Sequence, residues 1–209
     1  MARDLARRRG TDAAPLPKWI APQLTQLVDA APDGDDWLHE IKFDGYRMHA
    51  RLDRGAMRLL TRTGLDWTHK YPAIAKAVSS LGARQAYLDG ELCGVFPDGI
   101  TSFSMIQAAS DSGSAAGLVF FRFDLLYLDG EPVSARPVIE CKARLAALLA
   151  DAGSPLHYFD HQILASLQSS HTGMIIRSSS YNLAFRLSLA DNKDSLLQAK
   201  QRLILLGGH

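Results

Sequence analysis

Several features that would assign a protein to a specialised class are absent or scarce in this sequence. The 209 residues include two cysteines, Cys93 and Cys141, which are too few and too isolated for a zinc site or a disulfide framework. The seven histidines lack the spacing of metal ligands. No apolar run approaches the ~20 residues that cross a bilayer, and no apolar stretch follows the arginines at the start. We therefore expect a cytoplasmic protein with no membrane span and no signal peptide.

An excess of charge of one sign is also lacking. The formal net charge is +1, so a nucleic-acid partner would have to be held by a local basic patch rather than by the charge of the whole chain. The hydrophobic share of 47% is enough for one substantial core. Residues 1–18 are charged and then rich in alanine and proline, which predicts a flexible basic lead-in.

The most informative feature present is the tetrapeptide Lys42-Phe-Asp-Gly45. Residues 37–41 predict a strand, so Lys42 would emerge at a strand end, and the following Asp-Gly turn would return Arg47 on a neighbouring strand. We expect residues 37–64 to form such a hairpin or meander. A lysine desolvated among cations has a lowered pKa and can act as a nucleophile, here on a phosphate. A surface lysine before an ordinary hairpin turn is the alternative, and a bare K-x-D-G favours it.

Three further patterns follow in order along the chain. An apolar strand ends on Arg62, which could hold phosphate or ribose oxygens. Glu91 lies in a predicted strand with apolar neighbours, where an unpaired carboxylate would be costly. The strand from Leu118 to Leu128 alternates so that Phe121 and Phe123 face one side, and one of them could stack on a purine. Each pattern alone is weak, but their order makes the combination specific.

These motifs, in this order, resemble the adenylation domain of ATP-dependent DNA ligases, most closely the bacterial end-joining type, ligase D. The similarity runs from about Trp19 to about His161 and includes the connecting phrases Ile20-Ala-Pro-Gln-Leu24, Leu65-Asp-Trp-Thr68 and Leu126-Tyr-Leu-Asp-Gly130. RNA ligases and capping enzymes share the lysine motif, but we do not expect them to share these phrases. The resemblance implies an α+β nucleotidyltransferase (ATP-grasp-like) domain of mainly antiparallel sheets flanked by helices, over residues 19–161.

The resemblance also implies a role for each matching residue. Lys42 would attack the α-phosphate of ATP to form a covalent lysyl-AMP, and Phe123 would stack on the adenine. Charged residues would make the other nucleotide contacts. Glu40 would recognise the adenine edge, and Arg47 and Arg62 would contact ribose and phosphate. Glu91 would hold the ribose or a metal-bound water. The implied cofactors are ATP and a divalent metal (Mg or Mn), and the implied partners are nicked or broken double-stranded DNA and end-joining proteins. Asp44 is expected to fix the turn, Asp89 stays ambiguous, and for Asp124 a structural role is preferred.

Helices are predicted from spacing at three places. Apolar positions three and four apart predict helices from Tyr71 to Leu81 and from Val138 to Ala152, and Ser102 is placed to cap a short helix through Ala109. Strands and helices alternate without a repeat, which indicates α+β.

Residues 162–209 depart from the family pattern, which is expected to include a Glu-Gly-apolar-apolar-x-Lys segment and a later Lys-x-Lys. Thr172-Gly-Met-Ile-Ile-Arg177 lacks the carboxylate, and Lys200-Gln-Arg202 lies in a stretch that predicts helix. We expect a domain that is incomplete at its C-terminus, from truncation or a frame shift, with a tail that packs poorly and a chain that cannot seal nicks alone. Two other hypotheses stay open: a non-catalytic nucleotide- or DNA-binding remnant, and an RNA ligase or capping-type nucleotidyltransferase.

Overall fold

Two β-sheets and three helices make up the described part of the chain. The computed structural model describes residues 13–23, 26–28, 37–41, 45–97, 101–112, 116–158, 162–163, 174–178, 181–187 and 202–207. No helix among these residues is long and apolar enough to cross a membrane. The mainly antiparallel pairing with flanking helices confirms the predicted α+β class.

The larger sheet has seven strands in the order β4-β3-β5-β7-β8, with β6 paired to β5 and β9 paired to β7. All pairings in it are antiparallel except that of β7 with β9. Its strands are β3 (Tyr46–Asp53), β4 (Ala56–Thr61), β5 (Gln85–Val95), β6 (Thr101–Ser102), β7 (Leu118–Leu128), β8 (Glu131–Pro132) and β9 (Leu156–Tyr158).

The smaller sheet has six strands in the order β1-β12-β13-β11-β2-β10. They are β1 (Gln26–Val28), β2 (Trp37–Ile41), β10 (Gln162–Ile163), β11 (Met174–Ser178), β12 (Tyr181–Leu187) and β13 (Arg202–Gly207). The helix predicted around Lys200-Gln-Arg202 is wrong from Arg202 onward, because Arg202–Gly207 form β13, which pairs with β12 along residues 203–207 and 181–185. Pairing with neighbouring strands decided the conformation of these segments, and the spacing of apolar residues along the sequence does not report such pairing. Residues 188–201 lie outside the described residues.

The predicted hairpin between β2 and β3 is also wrong. β2 pairs with β10 and β11 in the smaller sheet, whereas β3 pairs with β4 and β5 in the larger one. The chain therefore changes sheets between Ile41 and Tyr46, the stretch that contains the lysine motif. The hairpin in this region is β3–β4, whose two-residue turn uses Arg54 and Gly55 at φ 50° and 92°, as tight hairpin turns require.

The helices pack on one face of the seven-stranded sheet and form the core with it. They are α1 (Pro72–Ser79), α2 (Phe103–Ser112) and α3 (Val138–Leu149). α1 begins with Pro72, whose fixed φ suits a first helical position. Their buried residues recur at the predicted three-four spacing and meet the even-numbered side of β3 and β5, the main members being Met48, Ala50, Ile74, Val78, Leu88, Leu92, Ile106, Leu145 and Leu149.

Residues 13–23, here called the N-terminal segment, lie against the opposite face of the same sheet. The Tyr127 hydroxyl donates to the carbonyl oxygen of Ala14 at 2.5 Å, and Arg51 Nε donates to that of Pro17 at 2.8 Å. The amide of Ala14 donates to the carbonyl of Gly130 at 2.9 Å. Residues 13–18 of the predicted lead-in are thus attached to the sheet through hydrogen bonds of Ala14 and Pro17, while residues 1–12 lie outside the described residues.

Candidate active site

Three of the predicted site residues lie on the face of the seven-stranded sheet that the helices leave open. Arg47 of β3 is the Cα partner of Glu91 of β5, and Glu91 is in turn the partner of Phe121 of β7. Directly opposite residues in a sheet point to the same side. Phe123 joins them at a β-bulge, where the register with β5 shifts and β7 has one extra residue. Glu91 and Phe123 are buried, and each is 5% exposed.

The guanidinium of Arg47 is fixed on both of its sides. Its Nε and Nη2 donate to the two carboxylate oxygens of Asp89, each at 2.6 Å. Its Cζ lies 4.6 Å from the ring centroid of Phe123, in the geometry of a cation–π contact. A two-pronged pair holds the plane of the guanidinium. The orientation of Arg47 is therefore set by the protein itself.

The charges around Arg47 determine the pKa values of the site. Burial alone would lower the pKa of Arg47, but the charge of Asp89, its hydrogen bonds and the charges of Glu91 and Asp124 outweigh burial and raise it. Burial alone would raise the pKa of Asp89, but the charge of Arg47, with the contacts from His49 and Arg47, holds that pKa well below its usual range. Arg47 is therefore a permanent cation that lies among carboxylates.

Gly45 explains why the lysine motif ends in glycine. A Cβ on Gly45 would lie 2.4 Å from the carbonyl oxygen of Leu92, 2.7 Å from Sγ of Cys93 and 2.9 Å from Cγ of Glu91. Its φ lies outside the left-handed region. Space, rather than turn conformation, requires glycine here, because the chain leaving the motif passes directly against β5 at Glu91.

A chain of polar side chains connects Arg47 with the N-terminal segment. His49 is fully buried, with Nε2 3.3 Å from Oδ1 of Asp89 and Nδ1 3.0 Å from the Tyr87 hydroxyl. The amide of Ile20 donates to that hydroxyl at 3.1 Å. Burial raises the pKa of Tyr87 to about 12, so the hydroxyl stays protonated at neutral pH. The position of Asp89, and through it that of Arg47, thus depends on side chains beyond the site.

The other three predicted site residues are not brought into this cluster by the described structure. Glu40 belongs to β2, where its Cα partner is Ile175, and its side chain lies outside the description. Lys42 and Asp44 lie outside the described residues. Arg62 is exposed and directly follows β4. The convergence of all six residues on one site stays a prediction.

Asp89 is the residue of this site that sequence reasoning left undecided. It lies two residues before Glu91 on the same side of β5 and is 2% exposed. A buried carboxylate needs a partner, and a strand of otherwise apolar neighbours is a signal that such a partner exists. The signal does not name the partner, because Arg47 is 42 residues away in sequence.

The donor set suits a divalent metal only together with a nucleotide. Among the described residues no group of three His, Cys, Asp or Glu side chains is placed to hold an ion. Mg²⁺ is commonly held by one or two carboxylates together with substrate phosphates and waters. Glu91, on the face that Arg47 and Phe123 share, fits the role of that single carboxylate.

The family model described as ATP dependent DNA ligase domain matches residues 20–179. The chain belongs to the ATP-dependent DNA ligase family. Multifunctional non-homologous end joining protein LigD of Pseudomonas aeruginosa is 40% identical over 148 residues, which are 71% of this chain and 18% of that protein. A DNA ligase of Pyrobaculum calidifontis is 32% identical over 148 residues, 64% of this chain and 25% of that protein. The resemblance to ligase D is thereby confirmed.

A solved structure, Pmar-Lig_Pre, supports the ligase fold. It is 14% identical to this chain, has a TM-score of 0.52, and the match covers 69% of this chain and 39% of that one. The chain spans a quarter or less of the two curated ligases named above. The α+β nucleotidyltransferase fold predicted from the motifs agrees with this family.

Proposed function

We propose that this chain is the nucleotide-activating part of an end-joining DNA ligase, and that it takes AMP from ATP onto Lys42. The observation that supports this most is the joining of Arg47, Glu91 and Phe123 on one face of a sheet. The close passage of Gly45 against Glu91 brings the end of the lysine motif to the same place. A cation, a carboxylate and an aromatic ring are the groups that phosphate, ribose and adenine require.

The proposed reaction has three steps. The neutral amine of Lys42 attacks the α-phosphorus of ATP, a P–N bond forms, the bond to pyrophosphate breaks, and the amine proton is released. An oxygen of a DNA 5′-phosphate then attacks the phosphorus of the bound AMP, a P–O bond forms, and the P–N bond breaks as the Lys42 amine regains a proton. Finally a DNA 3′-hydroxyl attacks that phosphate and displaces AMP, which seals the nick.

The described residues act by holding the nucleotide rather than by transferring protons. Arg47, fixed by Asp89, presents a permanent positive charge to ribose or phosphate oxygens, which favours the charge that develops during transfer. Phe123 offers its ring to adenine. Glu91 holds the ribose or a metal-bound water, and a bound Mg²⁺ or Mn²⁺ would add charge neutralisation of the phosphates. Glu40 and Arg62 complete the proposed set at the adenine edge and the phosphates.

Transfer of label from α-labelled ATP tests the proposal. With Mg²⁺ present, we expect the protein band to acquire label, the Lys42→Ala variant to acquire none, and the exposed Lys76→Ala variant to match the wild type. Labelling that survives in Lys42→Ala would overturn the assignment of the nucleophile. Absence of label in the wild type would favour a non-catalytic nucleotide- or DNA-binding remnant, and label from GTP in preference to ATP would favour a capping-type enzyme.

The proposed partner is nicked or broken double-stranded DNA, with further end-joining proteins in the cell. The buried thiols of Cys93 and Cys141 suit a reducing compartment such as the cytoplasm. Because residues 172–177 lack the carboxylate of the family pattern, we expect labelled protein that does not close a nicked duplex by itself. Efficient sealing by this chain alone would contradict that part of the proposal.

A further inference from the structure

A buried lysine lies behind the site, on the helix side of the sheet. Lys142 of α3 is 1% exposed, and its Nζ donates to the carbonyl oxygen of Phe123 at 2.5 Å. Phe123 is the bulged residue of β7 whose ring lies under Arg47. One residue thus connects a core helix to the strand position that presents the aromatic ring.

Burial of this ammonium group costs free energy in the folded state, so a compensating interaction is expected. A lysine that leaves water loses hydration free energy unless it is hydrogen-bonded, and lysine is among the residues that are almost never fully buried. The neighbouring buried positions of α3, such as Cys141 and Leu145, are occupied by residues that need no such compensation.

The reason lies in the pairing of β7. On its outer edge, β9 pairs as far as Arg122, and β8 pairs from Tyr127 onward. Between those points no strand of the described chain pairs with that edge, and the bulge interrupts the ladder on the β5 side as well. α3 covers this gap, and the Lys142 ammonium donates to the bulge carbonyl. A charge-assisted hydrogen bond is stronger than a neutral one and holds the peptide plane in one orientation.

We propose that Lys142 is a positioning residue for the nucleotide base. It fixes the carbonyl of Phe123 from the helix side, which sets the direction of the Phe123 ring and the contact of that ring with Arg47 on the open side. The inference rests on the proposed function, because it assigns the Phe123 ring to adenine. Lys142 itself does not touch the nucleotide, and its effect passes through one peptide group of β7.

Binding measurements that separate the base from the phosphates test this role. Calorimetric titrations with ATP and with inorganic tripolyphosphate are compared for the wild type, Lys142→Met and Lys142→Arg. Loss of the ammonium should weaken ATP binding about tenfold and leave tripolyphosphate binding unchanged, since only the stacking contact is disturbed. Lys142→Arg, which keeps a cationic donor, should restore most of the ATP affinity.

Leu145→Val is the matched control for helix stability. Leu145 is fully buried one turn further along α3 and packs in the core. The control should lower the melting temperature while both titrations stay at the wild-type values. If Lys142→Met does not fold, Lys142→Gln replaces it in the same titrations. Glutamine is shorter than lysine and does not reach the carbonyl oxygen of Phe123.

The outcomes separate this inference from the proposed function. ATP binding by Lys142→Met equal to the wild type, or an equal loss of ATP and tripolyphosphate binding, would overturn the positioning role alone. A wild type that binds ATP but acquires no label would overturn the proposed transfer and leave the Lys142 test intact. A wild type that does not bind ATP would overturn both.

Discussion

Two buried arginines show how differently this fold treats the same side chain. Arg47 is held in a two-pronged pair by Asp89, and its charge is matched by carboxylates. Arg122 lies on the helix side of β7 with an exposure of 0%. In the described part of the chain, none of its three guanidinium nitrogens has a hydrogen-bond partner, and its Cζ lies 5.5 Å from the ring centroid of Phe120. Among the described residues, the charge of Arg47 is therefore compensated by carboxylates, whereas that of Arg122 is not.

Arg122→Met should therefore stabilise the protein. Burial lowers the pKa of Arg122 from 12.5 to about 9, so the side chain is still charged at neutral pH and costs free energy in the folded state. Its replacement by an apolar side chain of similar length should raise the free energy of unfolding by about 1–4 kcal/mol. Between pH 9 and 12.5 the unfolded wild type binds more protons than the folded one, so the stability of the wild type rises with pH. The difference in unfolding free energy between Arg122→Met and the wild type should therefore become smaller.

Urea unfolding of both proteins at pH 7 and pH 10 measures this difference. Arg58→Met serves as the control, because the Arg58 side chain is 64% exposed and its Nε lies 3.8 Å from Asp66. The control should change stability by less than about 0.5 kcal/mol. A destabilised Arg122→Met would mean that the guanidinium has a compensating partner after all.

At the scale of elements, the change of sheets after β2 determines the geometry of the lysine motif. The segment that links the two sheets enters β3 at Tyr46, and Gly45 is the point where it passes over β5. The two sheets are joined in sequence through the proposed nucleophile. Any side chain at Gly45 must push the segment away from Glu91, because the nearest atom is a backbone oxygen that cannot rotate aside.

Gly45→Ala should impair both stability and transfer. The overpacked contact should cost about 1–3 kcal/mol of stability. A displacement of about 1 Å between Lys42 and the nucleotide should reduce AMP labelling about 100-fold. Labelling rates and thermal melting of the variant measure the two effects.

Gly82→Ala is the matched control for this substitution. No atom lies within 4 Å of a Cβ at Gly82, and its φ lies outside the left-handed region. We expect wild-type labelling and a change in stability below about 0.5 kcal/mol. Equal labelling and equal melting temperatures of the two variants would contradict the close approach of Gly45 to β5 as the cause.

At the scale of the whole molecule, the two faces of the seven-stranded sheet have separate tasks. The helix face holds the apolar core, while the open face has the site at one end and the N-terminal segment at the other. Arg47 belongs to the site, and its pair with Asp89 joins β3 to β5. Asp89 is linked through His49 and Tyr87 to the N-terminal segment. The functional face of the sheet therefore depends on this ion pair.

Asp89→Asn should reveal this dependence as a function of pH. Loss of the anion removes the carboxylate that holds two nitrogens of the largely buried Arg47 and should cost about 3–5 kcal/mol at pH 7. The folded pKa of Asp89 is lowered, so its contribution is complete above the unfolded value of about 3.9 and is lost as pH falls through the folded pKa. The difference in unfolding free energy from the wild type should be constant between pH 8 and 5 and should shrink below about pH 4.

The control for the pH series is Asp53→Asn, since Asp53 pairs with Arg51 at the partly exposed end of β3. Asp53→Asn should lower the free energy of unfolding at pH 7 by less than Asp89→Asn does. A difference that stays constant below about pH 4, or that grows as pH falls, would show that the pKa of Asp89 is normal or raised and would contradict the ion-pair account.

The sequence alone determined the family, the fold class and the elements whose cause is local. Apolar spacing predicted α1 and α3, and alternation predicted β7, because periodicity reflects one-sided burial of a single element. The lysine motif and the patterns around Glu91 and Phe123 were sufficient for the ligase resemblance. Lys42, Glu91 and Phe123 were named as site residues because their types and their order along the chain suit the binding and transfer of a nucleotide.

Only the tertiary structure decided which of these elements meet. The assignment of β2 and β3 to different sheets, the strands of the tail, the pairing of Arg47 with Asp89 and the bond from Lys142 to β7 all join distant parts of the chain. A buried charge signals in the sequence that a partner is needed, but the identity of the partner follows from strand register and helix packing. Those depend on the free energy of the whole core, which no local pattern contains.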